Sequence, residues 1–182
     1  MADGTLKVGT ITTSSGSGTI TIGQSGETVT IPSGATITNS GTATGFGGGK
    51  ILQVVSANDS TERSTSSASY VTASNTLSVN ITPSSTSSKI FVSLTGSAYV
   101  ETDNKYGKFT LYRDSTNIGD SSQGLTLMYD YQYTGNMAMS ILDSPSTTSQ
   151  ITYQLYFLST SGNVIINPNG VKSTITAFEV GA

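Results

Sequence analysis

The 182-residue chain has no cysteine, no histidine and no tryptophan. Without cysteine there is neither a disulfide framework nor a thiolate metal site, so stability has to come from packing and hydrogen bonds. Without histidine or cysteine, acyl transfer of the Ser-His-Asp or Cys-His kind lacks its base or its nucleophile. Charge is scarce as well: Asp, Glu, Lys and Arg make up 10% of the residues, against about a quarter in ordinary soluble domains. The 8 basic and 11 acidic residues leave a net charge of −3 with no basic run, which argues against nucleic acid and anionic membrane as partners. No apolar stretch approaches the length of a membrane span, and Met1-Ala2-Asp3-Gly4-Thr5-Leu6-Lys7 offers no signal-peptide core. The expectation is a chain made in a cytoplasm, soluble and not inserted in membrane. No window repeats apolar residues at three and four, so helices are not expected either.

Ser and Thr are abundant instead, roughly a third of the chain. So few charges on such a surface suggest that much of it is shared with neighbouring copies. In residues 1–49 an aliphatic residue returns about every nine positions. Ile11, Ile20 and Val29 form one series, Ile22 and Ile31 a second, and Ile37 continues the pattern. Each lies in a β-branched phrase, such as Gly18-Thr19-Ile20-Thr21-Ile22 or Thr28-Val29-Thr30-Ile31, bounded by Gly and Ser. That reads as one short strand per repeat with a turn between, these six aliphatics forming the core of a β stem. The apolar residues are too few to offset the entropy of ordering the backbone, so one copy of the tract needs a partner surface or copies of itself.

The cluster Gly45-Phe46-Gly47-Gly48-Gly49 divides two compositions. Before it stand only the charged residues Asp3, Lys7 and Glu27; after it come all nine tyrosines. Residues 1–49 are therefore read as stem and attachment segment, and 50–182 as an antiparallel jelly-roll sandwich. Strands are expected at 51–55, 77–81, 90–100, 108–113, 125–133, 136–142, 150–158, 164–166 and 174–180, with turn chemistry between them at Thr82-Pro83, Arg113-Asp114, Asp143-Ser144-Pro145, Ser161-Gly162-Asn163 and Asn167-Pro168-Asn169-Gly170.

The phrases Ser33-Gly34-Ala35-Thr36-Ile37-Thr38, Ile81-Thr82-Pro83-Ser84-Ser85, Thr110-Leu111-Tyr112-Arg113-Asp114 and Leu142-Asp143-Ser144-Pro145 resemble those of structural proteins from marine tailed bacteriophages. Such proteins are short fibres in which a repetitive β stem leads into a head similar to the trimeric jelly rolls of the tumour-necrosis-factor and complement type. The closing strand Thr174-Ile175-Thr176-Ala177-Phe178-Glu179-Val180 fits that head, whose last strand runs near the trimer axis. The resemblance implies a homotrimer on the virion surface, joined through its N-terminal segment to capsid or tail protein. An alternative it allows is a tail-fibre module that binds host-surface polysaccharide. It implies no cofactor and no enzyme activity, and it supplies no residue-level site.

Candidate chemistry is thin. Ser87-Ser88-Lys89 reads as a loop entering a strand rather than a Ser-Lys pair. Gly49-Lys50 is followed by Ile51, not the Ser or Thr of a phosphate loop. A glycosidase would need two carboxylates across a cleft, yet Glu101, Asp103, Asp114, Asp120, Asp130 and Asp143 fall mostly in or beside turns, where acids cap backbone amides. Glu101 and Asp103 fall short of a calcium loop, so no metal site is expected. The sharpest local feature is Tyr129-Asp130-Tyr131-Gln132-Tyr133. On a strand it puts Tyr129, Tyr131 and Tyr133 on one face and Asp130 and Gln132 on the other. Such a stripe serves either a subunit interface or stacking against glycan. Met128, Met137 and Met139 read as core or interface filler.

Overall fold

A computed structural model describes residues 9–13, 18–36, 38, 50–130 and 134–181, with Asp130 by its backbone alone. The chain divides into two units, Met1–Thr44 and Gly45–Ala182.

Among the described residues of the first unit, turns of the repeat are present and strands are not. Glu27 N donates to Gln24 O at 3.0 Å, and Ala35 N to Pro32 O at 3.1 Å. Gly26 and Gly34 take positive φ there, 89° and 84°, a conformation that favours glycine. The β-branched phrases among the described residues form no ladder. Ile11, Ile20, Ile22, Val29 and Ile31, expected as stem core, are 44–68% exposed. A single chain does not show the expected stack of short strands, which calls for copies of the tract: a ladder needs a second strand edge. Ile37 lies outside the described residues.

The second unit is all-β apart from one 3₁₀ turn at Pro168–Gly170. Its strands are β1 (Ile51–Asp59), β2 (Arg63–Thr65), β3 (Val71–Thr72), β4 (Ser78–Ile81), β5 (Lys89–Val100), β6 (Lys105–Arg113), β7 (Thr116–Asn117), β8 (Thr126–Asp130), β9 (Thr134–Asp143), β10 (Ile151–Ser159), β11 (Val164–Ile166) and β12 (Ser173–Val180). All pairings are antiparallel. The eight principal strands form two four-wide sheets, β1-β12-β5-β9 and β4-β10-β6-β8. β11 and β2 extend the first sheet, β3 and β7 the second. From β4 to β6, and again from β8 to β12, successive principal strands alternate between the sheets, which is the strand order of a jelly roll.

Period-two patterning explains why these residues fold this way. Along β5, Ile90, Val92 and Leu94 are buried while Phe91 faces out, and along β10 Ile151, Tyr153, Leu155 and Phe157 are buried. Both inner faces meet in a single core with Phe109, Leu111, Ile175 and Ala177. Met137 and Met139 belong to that core and Met128 packs against it. β11 has the expected bounds. The strands that sequence patterning misses are β2, β3 and β7, of two or three residues each. Segments this short carry no periodicity of their own; pairing with a neighbouring strand makes them strands.

Candidate functional site

The acids proposed for hydrolysis or calcium binding are dispersed. Asp120 caps its turn, accepting from the amides of Ser122 and Gln123 at 2.8 and 2.7 Å. Asp114 accepts from Thr152 N, and Glu101 from Asn163 Nδ2. Ser88 is buried and Lys89 exposed at the entrance to β5. Among the described residues no group of three or more Asp or Glu is placed to hold a metal ion, and no helix is long and apolar enough to cross a membrane.

Three carboxylates do have built surroundings, and two of them were not singled out from sequence. Glu179, at the end of the inward stripe of β12, is 1% exposed. It accepts from Gln53 Nε2 at 2.6 Å and from the amide and hydroxyl of Ser84 at 2.7 and 2.6 Å. Burial pushes its carboxyl up, but these hydrogen bonds outweigh burial and hold it down at about 2. Asp59, the last inward residue of β1, accepts from Thr61 N, Thr76 Oγ1, Ser74 Oγ and Arg63 Nη2. There too burial raises the carboxyl pKa, and the bonds from Ser74, Thr61 and Thr76 carry it far below the usual range. Asp143, expected as a turn cap, instead ends the inward stripe of β9. It receives Arg113 Nη1 at 2.8 and 2.7 Å and the Tyr153 hydroxyl at 2.6 Å. Each carboxylate ties a strand end to a loop or to the opposite sheet. Their donors are spent on the fold, so these groups are structural.

The outer faces hold the remaining surface chemistry. On the first sheet, Val54, Phe178, Phe91 and Leu142 stand in register across all four strands, next to Ile51 opposite Val180. Ile51, Val54 and Leu142 are more than half exposed. The Phe91 and Phe178 rings lie 6.0 Å apart, and the row surrounds a shallow concavity of about 450 Å³ lined entirely by apolar side chains. The next rows, Ser56-Thr176-Ser93-Ser140 and Asn58-Thr174-Thr95-Ala138, are short and almost all hydroxyl-bearing. Lys89 is the single charged side chain facing out from these four strands. The edge strands β9 and β1 carry neither Lys nor Pro; β1 has a register irregularity between Ile51 and Gln53, and each strand ends on an inward carboxylate.

The second sheet presents tyrosine. Tyr129 faces out from β8 beside Leu127, as the period of two requires, while Thr126 and Met128 on the other face are half-buried. Its ring lies 4.7 Å from that of Tyr106 and its hydroxyl donates to Asn104 Oδ1 at 2.7 Å. Tyr131 and Tyr133 lie outside the described residues. Further along the same face, Tyr112 stacks on Tyr156 at 3.8 Å and 18°, and Tyr70 meets Tyr112 edge-on at 6.4 Å. This second cluster assembles from separate strands and a loop, so no local run in the sequence announces it.

No protein-family model matches the chain, and no curated protein matches it.

Proposed function

We propose that this chain is a structural protein of a tailed-bacteriophage virion, a homotrimeric short fibre or decoration protein. Its sandwich would be the exposed knob, and residues 1–49 would join it to capsid or tail protein. The observation that carries the reading is the outer face of the first sheet. It combines an apolar row across four strands, a lawn of small hydroxyl residues beside that row and one charged side chain. Soluble monomers rarely leave such a contiguous apolar patch open, and a second copy is the occupant that low charge favours. Self-association is what the face calls for; the number three comes from the resemblance to the trimeric heads, and so does the virion.

The reading is tested in two steps. Purified chain should sediment as a trimer at micromolar concentration, and Leu142→Glu, which sets a carboxylate into the apolar row, should sediment as a monomer with an intact sandwich. Particles of the encoding phage should contain the chain, and labelled antibody should find it on their surface. A monomeric wild type, or particles without the chain, would defeat the proposal.

A further inference from the structure

The two outer faces of the sandwich differ in kind. The first sheet offers Ile, Val, Leu and Phe; the second offers tyrosine ringed by amides and hydroxyls. Tyr112 and Tyr156 are half-buried, and neither hydroxyl makes a hydrogen bond within the described residues. Gln154 stands opposite Tyr112 on β10, and Asn80 opposite Thr152 one row further. Gln154 Nε2 donates to Ser74 O and Asn75 Oδ1 at 2.9 and 3.2 Å, and Thr152 Oγ1 to Asn80 Oδ1 at 2.7 Å, which holds this rim in place. No carboxylate faces out from β4, β6 or β10 between these rings. The one ammonium, that of Lys108, is engaged by Ser122 O at 2.9 Å.

We propose that this face, centred on the Tyr112–Tyr156 stack and its Gln154 rim, binds a neutral polysaccharide chain. Sugar rings have apolar C–H faces and a hydroxyl perimeter. Aromatic rings take the first, while the tyrosine hydroxyls, donor and acceptor, and the Gln154 side-chain oxygen, an acceptor, take the second. Charge selects among glycans: the Tyr112–Tyr156 stack and its Gln154 rim carry no charge, and the Lys108 ammonium on the same face is drawn to Ser122 O, so an anionic polymer finds no ion pair at the stack itself and a neutral chain gives up none. The exposed aliphatic side chain of this face, Leu127, stands opposite Lys108, outside the rows of Tyr112 and Tyr156, which are flanked by Gln154 and Thr110. The proposal rests on the reading above in one respect: neighbours covering the first sheet leave the second turned outward.

The experiment is native gel electrophoresis of the full chain through gels containing dextran, mannan, laminarin or xylan, with dextran sulfate as the anionic polymer. At least one neutral polymer should retard the wild type, unaffected by added salt. Gln154→Ala and Tyr112→Ala should each weaken that retardation about tenfold or more, the loss of one good contact. Tyr112→Phe, which keeps the ring and the fold, should weaken it less, and Tyr129→Ala should leave it within about twofold. Melting curves confirm that each variant is folded. The proposal is overturned if no neutral polymer retards the wild type, if dextran sulfate alone does so, or if Gln154→Ala and Tyr112→Phe both bind as the wild type while Tyr129→Ala does not. Sedimentation of the same samples keeps the two readings apart. A retarded monomer refutes the trimer and spares this surface, whereas a trimer that no neutral polymer retards does the reverse.

Discussion

Asp143 closes the sandwich along the edge where β9 of the first sheet lies near β6 and β10 of the second, and replacing it should be costly. Its carboxylate takes two contacts from Arg113 Nη1, at 2.8 and 2.7 Å, and the Tyr153 hydroxyl at 2.6 Å. The two donors differ in what they lose. Arg113 keeps 26% of its side chain exposed, so on Asp143→Ala it can turn to water, and its share should be about 1 kcal/mol or less. Tyr153 is fully buried. Its hydroxyl pKa is raised by burial first and by the Asp143 bond second, which keeps the proton on the phenol and donated. Deprived of Asp143 it has no other partner, and an unsatisfied buried hydroxyl costs about 1–3 kcal/mol. Asp143→Ala should therefore lose about 1–4 kcal/mol in all, and Tyr153→Phe only about 1 kcal/mol. In the double variant the orphaned hydroxyl is gone, so the two losses should fall short of additive by about 1–2 kcal/mol. Urea unfolding at one fixed protein concentration, which holds any assembly equilibrium constant, measures all four corners of the cycle. Additive losses, or an Asp143→Ala midpoint indistinguishable from wild type, would refute the claim that this carboxylate joins the sheets.

Glu179 predicts an acid limb. Its folded pKa of about 2 lies below the ordinary 4.5, so the stability it contributes, about 3 kcal/mol, is complete above pH 4.5 and fades as pH falls towards 2. Melting temperatures from pH 6 to 2.5 should drop for the wild type and drop less for Glu179→Gln; identical acid limbs would exclude Glu179 as their source. Gly96→Ala should destabilise the sandwich by about 1–3 kcal/mol, because the new Cβ would run into Ser173, whose buried hydroxyl donates to Asn167 Oδ1; a calorimetric scan with no change would show that Ser173 moves aside freely. Deleting residues 1–49 should leave a folded knob whose far-ultraviolet spectrum keeps its β signature and which no longer joins particles. Truncated protein found on virions at normal occupancy would show that the tract is not the anchor.

What could be read from the sequence follows the period of two. Ile90-Val92-Leu94 and Ile175-Ala177 alternate cleanly, so their strands and inward faces were legible, and with them the all-β sandwich. The buried carboxylates were legible too, had the count been carried one step further. Val55-Ala57-Asp59, Met139-Ile141-Asp143 and Ile175-Ala177-Glu179 are three inward stripes that each end on an acid. An acid in phase with a buried stripe cannot be a solvated cap; it must have donors waiting, because an unpaired buried charge is too costly to keep. The tyrosine platform had no such signal. Tyr70, Tyr112 and Tyr156 come from a loop, β6 and β10, and only the antiparallel register brings them onto one face.

The same register accounts for the division of labour proposed between the two faces. A jelly roll buries one side of each sheet and leaves the other free, so composition on the outward positions answers to partners rather than to folding. β12 and β5 spend their outward positions on Phe178, Val180 and Phe91 beside Ser93, Thr95, Thr174 and Thr176, side chains short or apolar enough for another protein surface to approach closely. β6 and β10 spend theirs on Tyr112, Tyr156, Gln154 and Thr152, groups that keep hydrogen-bonding capacity at the water interface. A chain shielded by copies on every side would have no use for the second composition, and a free monomer none for the first. Both together fit a knob that turns one sheet to its neighbours and the other to what it meets.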